Sequence, residues 1–193
     1  KRFNYVSTVS VFPTIAKNLQ KTFYENDDID QPLPIVGGYP QSKWIAEKIM
    51  LLARERGIPV NIFRPGVIFG DTRIKDLPTE VLLVDFLKIC IDLKTVPMLD
   101  ILIDIAPVDY VADAIVHISK SSMNSTFHLT NPQPLPLSDF IDLLISSGIT
   151  LRKIPPLEWC KLLDKIDNTR ASDGIKTMIS MFENIESSGA IIF

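Results

Sequence analysis

Tyr39 stands four residues before Lys43 in "GGYPQSKWIAEKI", residues 37 to 49. On a helix that spacing puts both side chains on one face, about 6 Å apart along the axis. An ammonium held near a phenol favours the phenolate and lowers a tyrosine pKa from roughly 10 toward the working range. Such a phenol can give a proton to a carbonyl oxygen or take one from an alcohol. The same ammonium can hydrogen-bond a ribose. The competing reading is a phenol and an amine both solvated at the start of an amphipathic helix, and spacing alone does not decide between them.

The elements around the pair bear on that choice. Phe3 to Ser7 is a short apolar, β-branched run that reads as a buried strand ending in Ser7-Thr8. It offers a hydroxyl at the carboxyl edge of a parallel sheet, where open α/β sheets bind ligands; the alternative for Thr8 is a hydroxyl bonded to local backbone. Residues 24 to 38, "YENDDIDQPLPIVGG", carry loop chemistry. The following helix has Pro40 in its first turn, Ile45, Ile49, Leu52 and Ala53 at helical spacing, and Gly57 as its stop. Because Pro40 disfavours helical backbone at the residue before it, Tyr39 is expected at the N-cap position. "IPVNIF" reads as a fully buried strand. The breaker "RPG" follows, where Pro65 and Gly66 either let the backbone pass close to a flat ligand or form an ordinary turn.

Further on, residues 79 to 94 read as a helix, "ILIDI" (101 to 105) as a strand, and "PVDYVADAIVHIS" as a helix with Val111, Ala114, Ile115 and Ile118 on its apolar side. "STFHLT" is a strand. "LSDFIDLLISSG" is a helix with Ser138 as N-cap and Gly148 as stop, and "LEWCKLLDKI" is another helix. Strands alternating with helices predict an α/β fold. The expected architecture is an incomplete Rossmann-like parallel sheet with flanking helices over residues 1–120, including a helical insertion near 74–100. A smaller, mostly helical lobe follows over 121–193.

Composition excludes several function classes. The net charge of −3, from 20 basic and 23 acidic residues spread along the chain, gives no reason to expect nucleic acid or an anionic membrane as partner. Apolar runs such as "EVLLVDFLKICIDL" are broken by charges well short of the roughly 18 to 20 residues that span a bilayer. Cys90 and Cys160 sit in apolar helical patterns and read as buried thiols of a reducing, cytoplasmic compartment. His117 and His128 lack metal-ligand spacing, so no metal is expected. Trp159, Phe86 and Met98 read as packing, the "ENDDID" run as a solvated loop, and Asp109 as a first-turn helix acid. The chain opens on a strand pattern with neither an initiator methionine nor a signal peptide, from which a longer parent polypeptide is expected.

"YVSTVSVF", "GGYPQSKWIAEKIM", "NIFRPGVIFGDTR" and "DIAPVDYVADAIVHIS", in this order, resemble the extended short-chain dehydrogenase/reductase superfamily. Within it they are most similar to the thioester reductase domains of nonribosomal peptide synthetases, polyketide synthases and aminoadipate or carboxylic acid reductases. "YxxSKWxAE" and "PVDYVA" are the specific parts, and "FHLTNP" with "PLEWCKLL" fits the later lobe. The resemblance implies Thr8 polarising a substrate carbonyl, Tyr39 as proton donor, and Lys43 holding the nicotinamide ribose. It also implies cofactor contacts from Ser7 and from the backbone of Pro65, Gly66, Val67 and Ile68. The reaction implied is NADPH-dependent reduction, with NADH as the alternative, of a thioester on a carrier-protein phosphopantetheine arm to an aldehyde or alcohol. Upstream domains of the same polypeptide would be partners.

The family opens on a glycine-rich strand-turn-helix that holds the pyrophosphate, and none of the eight glycines here forms that turn. The chain by itself is therefore expected to be inactive and to bind NADPH very weakly. Self-association through an exposed edge of the Phe3–Ser7 strand, or an amino-terminal segment covering that edge, is expected as well. Two alternatives stand beside the main reading: another extended reductase or epimerase acting on a fatty acyl-CoA or nucleotide sugar, and a non-catalytic structural fragment.

Overall fold

The computed structural model describes residues 2–13, 22–35, 37–74 and 82–163. The start of the helix expected over 79–94, the end of the one expected over 157–166 and the weakly patterned tail from Ala171 lie outside the described residues. In chain order the elements are β1 (Phe3–Val6), a 3-10 turn (Val9–Val11), α1 (Gly38–Glu55), β2 (Val60–Pro65), β3 (Val67–Ile68) and α2 (Leu82–Leu93). There follow β4 (Thr95–Pro97), β5 (Leu102–Ile103), β6 (Ile105–Ala106), α3 (Val108–Ser121), β7 (Thr126–Leu129), β8 (Leu135–Pro136), α4 (Leu137–Ser146), β9 (Arg152–Ile154) and α5 (Pro156–Leu163). No helix among the described residues is long and apolar enough to cross a membrane.

The described residues divide into two compact units, one holding 2–13, 22–35, 37–74 and 104–134, the other 82–103 together with 135–163. That differs from the expected boundary at 120. "STFHLT" is not part of the later lobe: β7 pairs in parallel with β2, Phe63 opposite Phe127 and Arg64 opposite His128. The described part of the helical insertion expected near 74–100, from Leu82 on, groups with the second unit. Sequence order misleads here because the chain leaves the first unit and returns to it.

The first unit is α/β and Rossmann-like. Its parallel sheet has the order β1-β2-β7, with α1 and α3 as the connecting helices. Alternation along the strands gives the sheet two unlike faces. On one, Phe63, Phe127 and Leu129 pack with Val111, Ala114, Ile115 and Ile118 of α3, so the apolar side read for that helix is its buried side. The other face takes α1.

There the apolar residues noted at helical spacing are not the buried side. Ile45, Ile49 and Leu52 of α1 are 50–55% exposed and point away from the sheet, and Glu47 is the fully buried residue of the helix. The sheet-facing side instead presents Lys43, Glu47 and Arg54, with Trp44 and Leu51 packed toward Val11, Phe12 and Ile29. Hydropathy periodicity finds an apolar stripe but not which stripe meets the sheet. The start of α1 also differs from expectation. Gly37, at φ 99°, is the N-cap, and Tyr39 lies inside the helix. The left-handed turn at glycine sets the entry, and Pro40 sits in a first turn where no N–H is needed.

The second unit is built on one apolar cluster that includes Phe86, Cys90, Val96, Leu137, Ile141 and Trp159. Trp159 is fully buried and its indole N–H donates to the Thr95 carbonyl at 3.3 Å; truncating such a residue to alanine costs about 3–5 kcal/mol. Trp159 and Phe86 are therefore packing, as read. Burial pushes the Cys90 thiol up to about 12, which makes it inert. Met98, read as packing, is half-exposed and lines a cavity of about 340 Å³ with Val96, Leu99, Leu137, Ile141 and Lys153. Ser138 is not the N-cap of α4. Pro136 is, and the Ser138 hydroxyl donates to Asp139 instead.

"ILIDI" is two strands rather than one. β5 pairs antiparallel with β8 in the second unit, and β6 pairs in parallel with β3 in the first. The break falls at Asp104, whose side chain accepts from the Asn131 N–H at 2.5 Å and whose carbonyl accepts from Val67 N–H at 2.8 Å. A polar anchor in the middle of an apolar run ends one pairing and starts another.

Candidate active site

Tyr39 and Lys43 lie on the first two turns of α1, on the side of β1. The Lys43 ammonium donates to the Val6 carbonyl at 3.1 Å and sits 5.6 Å from the centre of the Tyr5 ring. Burial pushes the Tyr5 phenol above its ordinary range, and the nearby Glu47 and Tyr39 push it the same way. Tyr39 itself is 60% exposed, so its phenol is open to a ligand. An ammonium has three donors, and Val6 takes one.

Thr8 is buried at the carboxyl end of β1 and caps the 3-10 turn. Its Oγ1 accepts from Ser10 N–H at 3.2 Å and donates to Ser10 Oγ at 3.3 Å. The local-backbone alternative for this hydroxyl is thus what the fold contains, through long contacts. Ser7 turns the other way. Its hydroxyl donates to the Glu47 carboxylate at 2.5 Å inside the protein and its N–H donates to the Phe63 carbonyl at 2.7 Å, so neither donor is open to a cofactor.

Beneath α1 lies a polar row that the sequence reading missed. Arg64, 2% exposed, donates from Nε and Nη2 to one oxygen of Glu47 at 3.0 and 2.5 Å, while the other Glu47 oxygen takes Ser7. Arg64 Nη1 donates to the Glu25 carbonyl at 3.3 Å and lies 3.1 Å from His128 Nε2, which accepts in the neutral ring. The guanidinium also covers the Phe12 ring at 4.9 Å. Burial lowers the His128 pKa, and the Arg64 charge lowers it further. For Glu25 burial acts upward, but N–H groups of Glu25 and His128 and the charges of His128 and Arg64 outweigh it and hold the carboxyl below its usual range. The signal for this row was a charged residue directly after the apolar run "NIF". β2 extends through Arg64 to Pro65 instead of stopping at Phe63.

Pro65 to Ile68 continue from β2 into β3. Gly66 N–H donates to Leu129 carbonyl at 3.3 Å, and Val67 and Phe69 bond toward Asp104 and Ala106, so alternation turns the backbone groups of Ile68 the other way. Asp109 does more than sit in a first turn. It accepts from Thr72 N–H at 3.2 Å and from the Thr72 hydroxyl, tying the loop after β3 to α3. The "ENDDID" acids likewise cap their own loop and, through Asp30, pair with Lys48 at 2.5 Å.

A family model described as "Male sterility protein" matches residues 1–115. A linear gramicidin synthase from Brevibacillus parabrevis is 31% identical over 198 residues, across 100% of this chain and 4% of its own length. The L-2-aminoadipate reductase large subunit of Eremothecium gossypii is 34% identical over 145 residues, across 72% of this chain and 10% of its own. Among solved structures, the terminal R domain from the myxalamid PKS-NRPS biosynthetic pathway superposes with a TM-score of 0.81 at 34% identity, covering 97% of this chain and 47% of that one. The chain therefore spans under half the length of each of these relatives. Tyr39, Lys43, Thr8 and the Pro65–Ile68 run all lie in the matched region, and with that match extending over more than half of its length, the chain belongs to the male sterility protein family.

Proposed function

We propose that this chain carries the catalytic side chains of a thioester reductase. That enzyme would reduce an acyl or peptidyl thioester, held on a carrier protein's phosphopantetheine arm, to an aldehyde or alcohol with NADPH. The observation that carries the reading is the start of α1. Lys43 is fixed to the carboxyl end of β1 by its bond to Val6, one turn from an exposed Tyr39. The names of the relatives support the substrate class, since they are a linear gramicidin synthase, an aminoadipate reductase and a terminal R domain.

The residues present suit the nicotinamide end of such a cofactor. Ile68 has backbone groups turned away from β6, and Lys43 keeps two donors for ribose hydroxyls. Ser7 would contribute its backbone carbonyl only. When bound, the dihydronicotinamide supplies the hydride. Tyr39 would give a proton to the substrate oxygen as charge develops there. Thr8 would aid it by turning its O–H from Ser10 Oγ, a bond of only 3.3 Å, toward the same oxygen.

The test is Tyr39→Phe in the full protein that carries this chain, assayed with a carrier-bound thioester. Turnover should fall about 100-fold or more with unfolding temperature unchanged. Near-normal turnover would overturn the reading.

A further inference from the structure

We infer that Glu47 is a positioning residue for the Tyr39–Lys43 pair, and that its buried bond to Arg64 sets where the first turns of α1 stand over β1. The inference rests on the reading of Tyr39 and Lys43 as the reactive pair. Positions 39, 43 and 47 recur every four residues, so they form one stripe along α1. Lys43 ends on Val6 and Glu47 ends on Ser7, the next residue along the chain. Two turns of helix are thereby fixed to two consecutive residues at the end of β1.

The way α1 docks makes this more than ordinary packing. Its Ile45, Ile49 and Leu52 stripe faces away from the sheet, and its fully buried residue is a charged one. Contact with the strands runs through Lys43 to Val6, through Glu47 to Ser7 and Arg64, and through Arg54 to the carbonyls of Val60 and Ser125 at 3.0 and 3.1 Å. Apolar burial is non-directional and tolerates a helix sliding by fractions of a turn. Hydrogen-bonded charges do not, because each bond weakens steeply with misalignment. Glu47 is the member of this set with both oxygens occupied and no access to water. Its holder is equally committed: Arg64 is engaged by Glu47, Glu25, His128 and Phe12.

A buried ion pair is seldom the most stable solution. Well-packed apolar residues in its place are often neutral or stabilising, whereas removal of one partner leaves an uncompensated buried charge. Stability and positioning can therefore be separated by experiment. In the full protein, the double variant Glu47→Leu/Arg64→Met should unfold at or above the parent's temperature. Its kcat should nonetheless fall at least about 10-fold with little change in KM, since a small misplacement of reacting groups is costly even when binding survives. Amide exchange in the peptide covering residues 38–46, followed by mass spectrometry, should speed up about 10-fold as the docking bonds are lost, and that readout needs no turnover.

Glu47→Gln is the second variant. It keeps the shape and an acceptor for Arg64 while losing the charge, and it should show the same changes in kcat and exchange at smaller size, but unfold below the parent because the Arg64 charge is left uncompensated. Parent-like exchange at 38–46 in both variants overturns the inference, as does parent-like kcat in a folded double variant. An intact parent that reduces no thioester refutes the proposed function instead, and the exchange measurement still decides the role of Glu47.

Discussion

The Asp104 carboxylate packs directly onto the α-carbon of Gly66. A β-carbon at position 66 would lie 2.6 Å from Asp104 Cγ and 3.2 Å from the Asp104 backbone oxygen, so glycine is required by close approach. Asp104 is held in turn by Asn131 and Val67, and burial raises its carboxyl above the usual range against the pull of the Asn131 N–H. Gly66→Ala should therefore destabilise the protein by about 1–3 kcal/mol, the usual cost of forcing extra atoms into a packed site. Adding Asp104→Ala should return part of that loss, because it removes the side-chain clash and leaves the backbone one. Denaturant unfolding of the two single variants and the double measures this; strictly additive losses would mean that the two positions are not coupled.

His128 should make the fold sensitive to pH. The groups facing it are Arg64 from β2, Glu47 from α1, and Glu25 and Asp27 from the loop before α1; burial and Arg64 outweigh the three acids and lower its pKa from 6.5. A lowered histidine pKa means that the unfolded chain takes up the proton first as pH falls. Between the unfolded value and the lower folded one, the unfolded state binds more protons, so stability drops with decreasing pH. The contribution is fully present above about 6.5 and is lost as pH falls through the folded value. The denaturant midpoint should decline between about pH 7 and pH 5, and His128→Gln, which keeps an acceptor for Arg64, should flatten that decline. An unchanged slope in the variant would assign the pH dependence to other groups.

Much of this was legible in the sequence, because local rules and global fold agree at those places. "FNYV" and "STFHLT" form parallel strands, and α3 buries the side that its periodicity selects. Gly57 and Gly148 end their helices with positive φ, at 84° and 99°. The failures share one physical cause. Which side of α1 meets the sheet, why Arg64 belongs inside β2, and why "ILIDI" breaks at Asp104 are all decided by polar partners distant in the chain. Glu47 is 17 residues from Arg64, and Asn131 is 27 from Asp104. Hydropathy periodicity carries no information about such pairings, so the buried row beneath α1 remained hidden, while Tyr39 and Lys43 at the start of that helix stood out in the sequence as a candidate pair.

Phe3 and Ser7 donate their N–H groups to Pro59 and Phe63 on the β2 side, so alternation turns the amides of Asn4 and Val6 outward. Among the described residues β1 pairs with β2 alone, and Phe3 and Val6 are 49% and 41% exposed. The Lys43 ammonium takes the Val6 carbonyl but leaves the outward N–H groups unaddressed. An apolar edge with outward amides is a template for another strand. The exposed Ile45, Ile49 and Leu52 stripe of α1 adds apolar surface in the same unit. This chain in isolation should therefore self-associate at micromolar concentration, with the Asn4 and Val6 amides protected from exchange. Val6→Lys should return it toward a monomer, since a lysine on an edge strand opposes pairing. A monodisperse monomer of the parent sequence by light scattering, with those two amides exchanging at the rate of an open chain, would refute the expectation.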